Sequence, residues 1–108
     1  MNRFCAALFL TVLALPAAAG EIETAASALC ESRHGKDYVL RRTCYEEQLR
    51  AAVRFTEAWA QHPETSEPSM IFARCMASSE TFSGVTDFVI AEACAAEQVA
   101  AWKAIQTQ

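Results

Sequence analysis

Two long stretches of the chain alternate apolar and polar positions with the period of an α-helix. The apolar stripe of the first stretch consists of Tyr38, Tyr45, Leu49, Ala52, Thr56 and Trp59, widened by Leu40, Cys44, Ala51 and Phe55. Its polar stripe consists of Arg42, Glu46, Arg50, Arg54, Glu57 and Gln61. The apolar stripe of the second stretch consists of Phe88, Ala91, Ala95, Val99, Trp102 and Ile105. These stripes predict two amphipathic helices, each with its tryptophan in the core.

Local start and stop signals limit four predicted helices. Gly35 is a C-terminal stop followed by the N-cap candidate Asp37, and Gly84 precedes the N-cap candidate Asp87 in the same way. A polar linker at 62–68 carries a proline near each end. The predicted helices cover residues 22–33, 37–62, 69–79 and 87–106.

The two long stretches also repeat one another. The segment "DYVLRRTCYEEQLRA" at 37–51 returns fifty positions later as "DFVIAEACAAEQVAA" at 87–101, with six identities in fifteen positions. A further cysteine precedes each copy, so that each half has one cysteine in each of its two helices. The pattern predicts an internal duplication with repeats at about 22–62 and 69–106.

The first nineteen residues have the order of a secretory signal peptide. Arg3 precedes an apolar run at 4–15, and the small residues Ala17 and Ala19 fit a cleavage site after Ala19. The run of about twelve residues is shorter than the roughly twenty that a membrane span requires. The sequence therefore predicts a signal peptide at 1–19, a single helical domain at 20–108, no stable membrane anchor, and a periplasmic or secreted product.

Cleavage leaves four cysteines in 89 residues, a length at which a hydrophobic core alone is marginal. An even number of cysteines in an exported chain predicts two disulfides. Metal ligation is the rival interpretation. It is disfavoured because the chain has no C-x-x-C pair, and His34 and His62 are not spaced with the cysteines. We therefore predict no metal site.

Helix geometry favours one of the three possible pairings. Cys30 lies about one turn before the end of its helix and Cys44 about two turns into the next, so antiparallel helices bring them level. The same reasoning joins Cys75 to Cys94. A bond between the copies, such as Cys44 with Cys94, stays open if the two long helices pack face to face. The predicted fold is all-α, with two duplicated disulfide-linked helical hairpins packed as a small four-helix bundle.

Charge and motif content exclude several classes of function. The chain has 9 Lys and Arg against 13 Asp and Glu, a net charge of −4, and loss of Arg3 makes it −5. An acidic chain is disfavoured as a nucleic-acid-binding protein. The sequence has no Gly-rich phosphate loop and no C-x-x-C-H haem attachment motif, so we predict no cofactor. Catalytic dithiols usually lie two residues apart, unlike these cysteines.

One polar pair is kept in both copies, three and four residues after the cysteine: Glu47 with Gln48, and Glu97 with Gln98. In a symmetric arrangement the two glutamates could face one another as the paired carboxylates of a hydrolase. The favoured interpretation is structural. The glutamine packs over the disulfide or bonds a carbonyl of the facing helix, and the glutamate supports the surface. We therefore predict a polar site at these four residues and no enzyme activity.

The pattern C, then D-[FY]-V, then C-x-x-x-Q resembles a class of short, exported, uncharacterised bacterial proteins. It covers 30–48 well and 75–98 less well, because the second turn is longer. The resemblance implies no activity. A looser likeness connects the hairpins to small exported lysozyme-inhibitor domains, although the Leu-rich, Asp-containing helix of those domains is missing. We expect a protein-binding or accessory module whose partner is another exported protein, with inhibition of a cell-wall hydrolase as the alternative.

Overall fold

The computed structural model describes residues 20–81 and 83–108, and four helices form this part of the chain. Helix α1 covers residues 20–34. The others are α2 at Tyr38–Ala60, α3 at Glu67–Ser78 and α4 at Phe88–Gln106. The four predicted helices are confirmed, with every end within about two residues. The predicted signal peptide at 1–19 lies outside the described residues.

Side-chain caps start α2 and α4 at the predicted residues, Asp37 and Asp87. Asp37 Oδ1 accepts the backbone N–H of Leu40 at 3.1 Å, and Gly35 ends α1 with a φ of 53° that favours glycine. Helix α3 begins earlier than predicted, because Ser66 is its N-cap. Pro68 therefore lies in the first turn of α3, where its missing N–H removes no helical hydrogen bond.

Both disulfides have the predicted pairing. Cys30 is bonded to Cys44 and Cys75 to Cys94, each with a Cα–Cα distance of 5.7 Å. The first bond joins α1 to α2 and the second joins α3 to α4. A bond between the two hairpins is therefore excluded, and all four cysteines of the described chain are in disulfides.

Helix α4 connects the two hairpins, because it packs against both α2 and α3. Helices α2 and α4 run in the same direction. Gln48 lies beside Asp87, and Arg54, further along α2, lies beside Glu92. The C-terminal ends of both helices are consequently on the same side of the molecule. The architecture is a compact all-α four-helix bundle made of two disulfide-linked hairpins.

An aromatic cluster around Phe55 forms the centre of the core. Phe55 is 1% exposed, and its ring centroid lies 5.1 Å from that of Phe72 and 6.0 Å from that of Phe88. Trp59 and Trp102 pack against the same cluster and are partly buried. Both tryptophans thus face the core as predicted, but neither is fully buried. Since Phe72 and Phe88 belong to α3 and α4, one side chain of α2 joins three helices.

The predicted apolar stripes are wrong at Thr56, which is exposed, and at their outer ends. Tyr38 is 69% exposed, Leu40 is 48% exposed and Ile105 is 63% exposed. Tyr38 lies about ten residues before the point of α2 where α4 begins, so α4 does not cover it. Its ring packs instead under the guanidinium of Arg41, 5.4 Å from the ring centroid. Ile105 is in the last turn of α4, beyond the end of α2, so α2 does not cover it.

Candidate functional site

The structure separates the four residues of the predicted polar site. Gln48 is 3% exposed, whereas Glu47, Glu97 and Gln98 are exposed. The repeated glutamines therefore have different environments. Among the described residues, the side-chain amide of Gln48 bonds no carbonyl of a facing helix. Its partners are a carboxylate and a backbone N–H of the other hairpin.

Arg33, Gln48 and Asp87 form a polar group that we call the Asp87 cluster; Gln48 and Asp87 are buried, and the Arg33 side chain is 40% exposed. Gln48 Nε2 donates to Asp87 Oδ1 at 2.8 Å, and Gln48 Oε1 accepts the backbone N–H of Phe88 at 2.9 Å. Arg33 forms an ion pair with Asp87 Oδ2 at 2.5 Å. Three elements thus meet at one carboxylate: the end of α1, the middle of α2 and the start of α4.

Asp87 is also the N-cap of α4 and is 1% exposed. Its Oδ1 accepts the backbone N–H groups of Val89 at 3.1 Å and Ile90 at 3.2 Å. Burial acts to raise the pKa of Asp87. The hydrogen bonds from Gln48 and Arg33, together with the Ile90 N–H, outweigh burial and hold the pKa below its ordinary value.

The chemical role of the Asp87 cluster follows from how fully its atoms are used. Both carboxylate oxygens have partners, and within the described residues no buried side-chain nitrogen or oxygen lacks one. An ionised and fully bonded carboxylate is a poor general base, because taking up a proton breaks its existing contacts. The cluster therefore fastens the first hairpin to the second and offers no reactive group.

A groove between α2 and α4, here called the α2–α4 groove, has a volume of about 440 Å³. Its floor is apolar and is made by Phe55, Phe72, Ala95 and Val99. Small residues keep its walls low: Ala58 on α2, and Ala96 and Ala100 on α4. The volume falls in the range of 300 to 1,000 Å³ that is usual for ligand sites.

Charged side chains stand at both ends of the α2–α4 groove. At one end Arg54 Nε and NH2 donate to the two oxygens of Glu92, at 2.7 and 2.9 Å. The hydrogen bond to Glu92 raises the pKa of Arg54, and the hydrogen bond from Arg54 lowers the pKa of Glu92. His62 and Lys103 line the groove at the other end, where α2 and α4 finish.

A larger depression of about 580 Å³ lies between the end of α1 and the loop before α4. Arg33 lines it, but this guanidinium is already paired with Asp87. Phe82 in the same loop lies outside the described residues. We assign no site there.

No pattern in the sequence directly indicates the α2–α4 groove. The stripe pattern assigns Arg54 to the polar face of α2, and it assigns Ala95 and Val99 to the apolar face of α4. Each assignment is correct for its own helix, but neither indicates the open space between the two helices. The available clue is the cluster of alanines at 95, 96 and 100. Small side chains on one face of α4 leave room that a larger residue would fill.

Comparisons with protein-family models, curated proteins and solved structures gave no match. Among residues 20–81 and 83–108, no helix combines the length and apolar character needed to cross a membrane. No group of three or more potential metal ligands occurs in the same part of the chain.

Proposed function

We propose that the protein is a small exported module that binds another exported protein in the α2–α4 groove and has no catalytic activity. The observation that carries this proposal is the apolar floor of the groove, open to solvent and bounded by charged residues at both ends. Apolar surface that stays accessible in a small folded domain is typical of interaction sites. The two disulfides support export, since such bonds persist in oxidising compartments.

The arrangement of titratable groups also favours binding over catalysis. The one buried carboxylate described here, Asp87, is fully bonded, and the Arg54–Glu92 pair is satisfied internally. Glu47 and Glu97 are exposed surface residues. An apolar floor with few polar groups at its edges matches the general composition of a protein-binding groove.

The test compares two variants that carry the same substitution on the same helix. Ala96 lines the groove, and Ala93 is exposed on α4 outside it. Affinity-tagged wild type, Ala96→Trp and Ala93→Trp are produced in the native host, and co-purifying proteins are quantified by mass spectrometry. We expect one exported protein to be captured by wild type and Ala93→Trp and to fall about tenfold with Ala96→Trp.

The captured protein must then bind the purified module directly in calorimetry, again with loss of affinity in Ala96→Trp only. Circular dichroism of both variants establishes that each is folded. Absence of any protein with this dependence, or equal capture by both tryptophan variants, would contradict the proposal.

A further inference from the structure

The α2–α4 groove is positively charged at the end where Lys103 lies, whereas the whole chain is acidic. The chain has a net charge of −4, yet the residues that line the groove include two cations, Arg54 and Lys103, and a single acid, Glu92. Since Arg54 and Glu92 neutralise one another, the uncompensated positive charge is that of Lys103. Lys103 has no acidic partner within 4 Å among the described residues.

We propose that the groove selects a partner segment that is amphipathic and acidic: a few apolar side chains for the floor, followed by a carboxylate that pairs with Lys103. This inference rests on the proposed protein-binding function and specifies the chemistry of the partner. The floor supplies affinity by removing apolar surface from water, and Lys103 supplies selectivity and orientation.

The dimensions of the groove support a short segment as occupant. About 440 Å³ accommodates a few apolar side chains and is too small to enclose a whole helix. A helix that lies across the opening can insert residues spaced at i, i+3 or i+4, and i+7, as in other helix-in-groove complexes. The low walls at Ala96 and Ala100 permit this close approach.

Lys103 is the residue that the test should change. His62 also faces a second depression that contains Glu64 and packs against Phe72, with ring centroids 5.7 Å apart, so substituting it would disturb the core. Lys103 is exposed in the last turn of α4, where a cation also interacts favourably with the carbonyl end of the helix. Thermal unfolding of each variant therefore accompanies the binding measurement.

The probes are two fluorescein-labelled twelve-residue helical peptides. Both carry three leucines at i, i+4 and i+7, and they end in either two glutamates or two lysines. Fluorescence anisotropy measures their binding to the purified full chain as wild type, Lys103→Glu and Lys36→Glu. Lys36 lies in the turn between α1 and α2, outside the groove, and serves as the matched charge reversal.

We expect wild type and Lys36→Glu to bind the glutamate peptide about tenfold more tightly than the lysine peptide, and Lys103→Glu to lose or reverse this preference. Raising the salt concentration should reduce the preference, because Lys103 is exposed to screening. Equal affinities, no saturable binding of either peptide, or an unchanged preference in Lys103→Glu would overturn the inference. If a partner is nevertheless captured in an Ala96-dependent way, the proposed function stands and only the acidic preference fails.

Discussion

Gln48 and Asp87 are joined side chain to side chain across 39 positions of sequence, with Nε2 and Oδ1 2.8 Å apart. The same glutamine accepts the N–H of Phe88, so one amide group bonds both the cap and the first turn of α4. Neither residue has a comparably buried counterpart at the matching position of the similar segment, where Asp37 and Gln98 are exposed. The docking of the two hairpins is therefore asymmetric.

Replacing Gln48 should destabilise the fold far more than replacing Gln98, the glutamine fifty positions later. Gln48→Ala removes a hydrogen bond to a buried carboxylate and leaves the Phe88 N–H without its partner, which costs about 1.5 to 3 kcal/mol. Gln98→Ala is an exposed substitution and should change the free energy of unfolding by less than about 0.5 kcal/mol. Urea denaturation measures both, and equal effects would show that the Asp87 cluster contributes little.

Asp87→Asn tests the charge of the cluster while keeping an oxygen that can cap α4. The amide N–H groups would face Arg33, so we expect a loss of about 1 to 3 kcal/mol at pH 7. Asp37→Asn, at the exposed cap of α2, is the control and should cost much less.

The pH dependence of Asp87→Asn has a definite sign. The folded-state pKa of Asp87 lies below its ordinary value of 3.8, so its contribution is present above pH 3.8 and is lost as the pH falls through the folded-state value. The difference in unfolding free energy between wild type and Asp87→Asn should consequently shrink on acidification below pH 3.8. A difference that is the same at pH 7 and pH 2 would contradict an ionised, stabilising Asp87.

Each disulfide should contribute substantially to stability. The bonded cysteines are separated by 14 and 19 residues, and loops of this length correspond to about 3 kcal/mol each in the chain-entropy description. Removing one pair, as in Cys75→Ala with Cys94→Ala, should lower the free energy of unfolding by about that amount. Thermal unfolding before and after reduction of the wild type provides the comparison. A loss under about 1 kcal/mol would indicate that the reduced chain keeps the hairpin closed.

One experiment determines both the mature N-terminus of the protein and its disulfide pairing. Mass spectrometry of the exported, non-reduced and protease-digested protein should give a mature chain that begins at Gly20. It should also give cross-linked peptides that contain Cys30 with Cys44 and Cys75 with Cys94. Retention of residues 1–19 would exclude the predicted cleavage after Ala19, and peptides that join the two hairpins would exclude the observed pairing.

Much of the fold could be predicted from the sequence because its determinants are local. Caps such as Asp37 act within three residues, and the level of Cys30 relative to Cys44 follows from the rise of a helix across a short turn. The period of the stripes likewise identified Phe55 as a core residue. These signals need no knowledge of how the hairpins pack.

The rest depends on contacts between hairpins, which the sequence does not specify. Gln48 is polar but buried in α2, where it bonds Asp87. Because Asp87 is 39 residues away, the sequence around Gln48 does not indicate this burial. Tyr38 and Leu40 continue the apolar stripe but project beyond the reach of α4. The α2–α4 groove exists only because two parallel helices with small facing residues are placed side by side. Its charged ends similarly combine residues that are far apart in the chain.

Because a disulfide closes each hairpin, the entropy cost of forming a hairpin is separate from the entropy cost of joining the two hairpins. Forming a hairpin is constrained by its own disulfide, whereas joining the hairpins depends on non-covalent contacts such as the Asp87 cluster. If the molecule opens between its halves, each half keeps its connectivity. Recovery is then a search over the relative orientation of two bodies, which is far smaller than a search over the conformations of a whole chain.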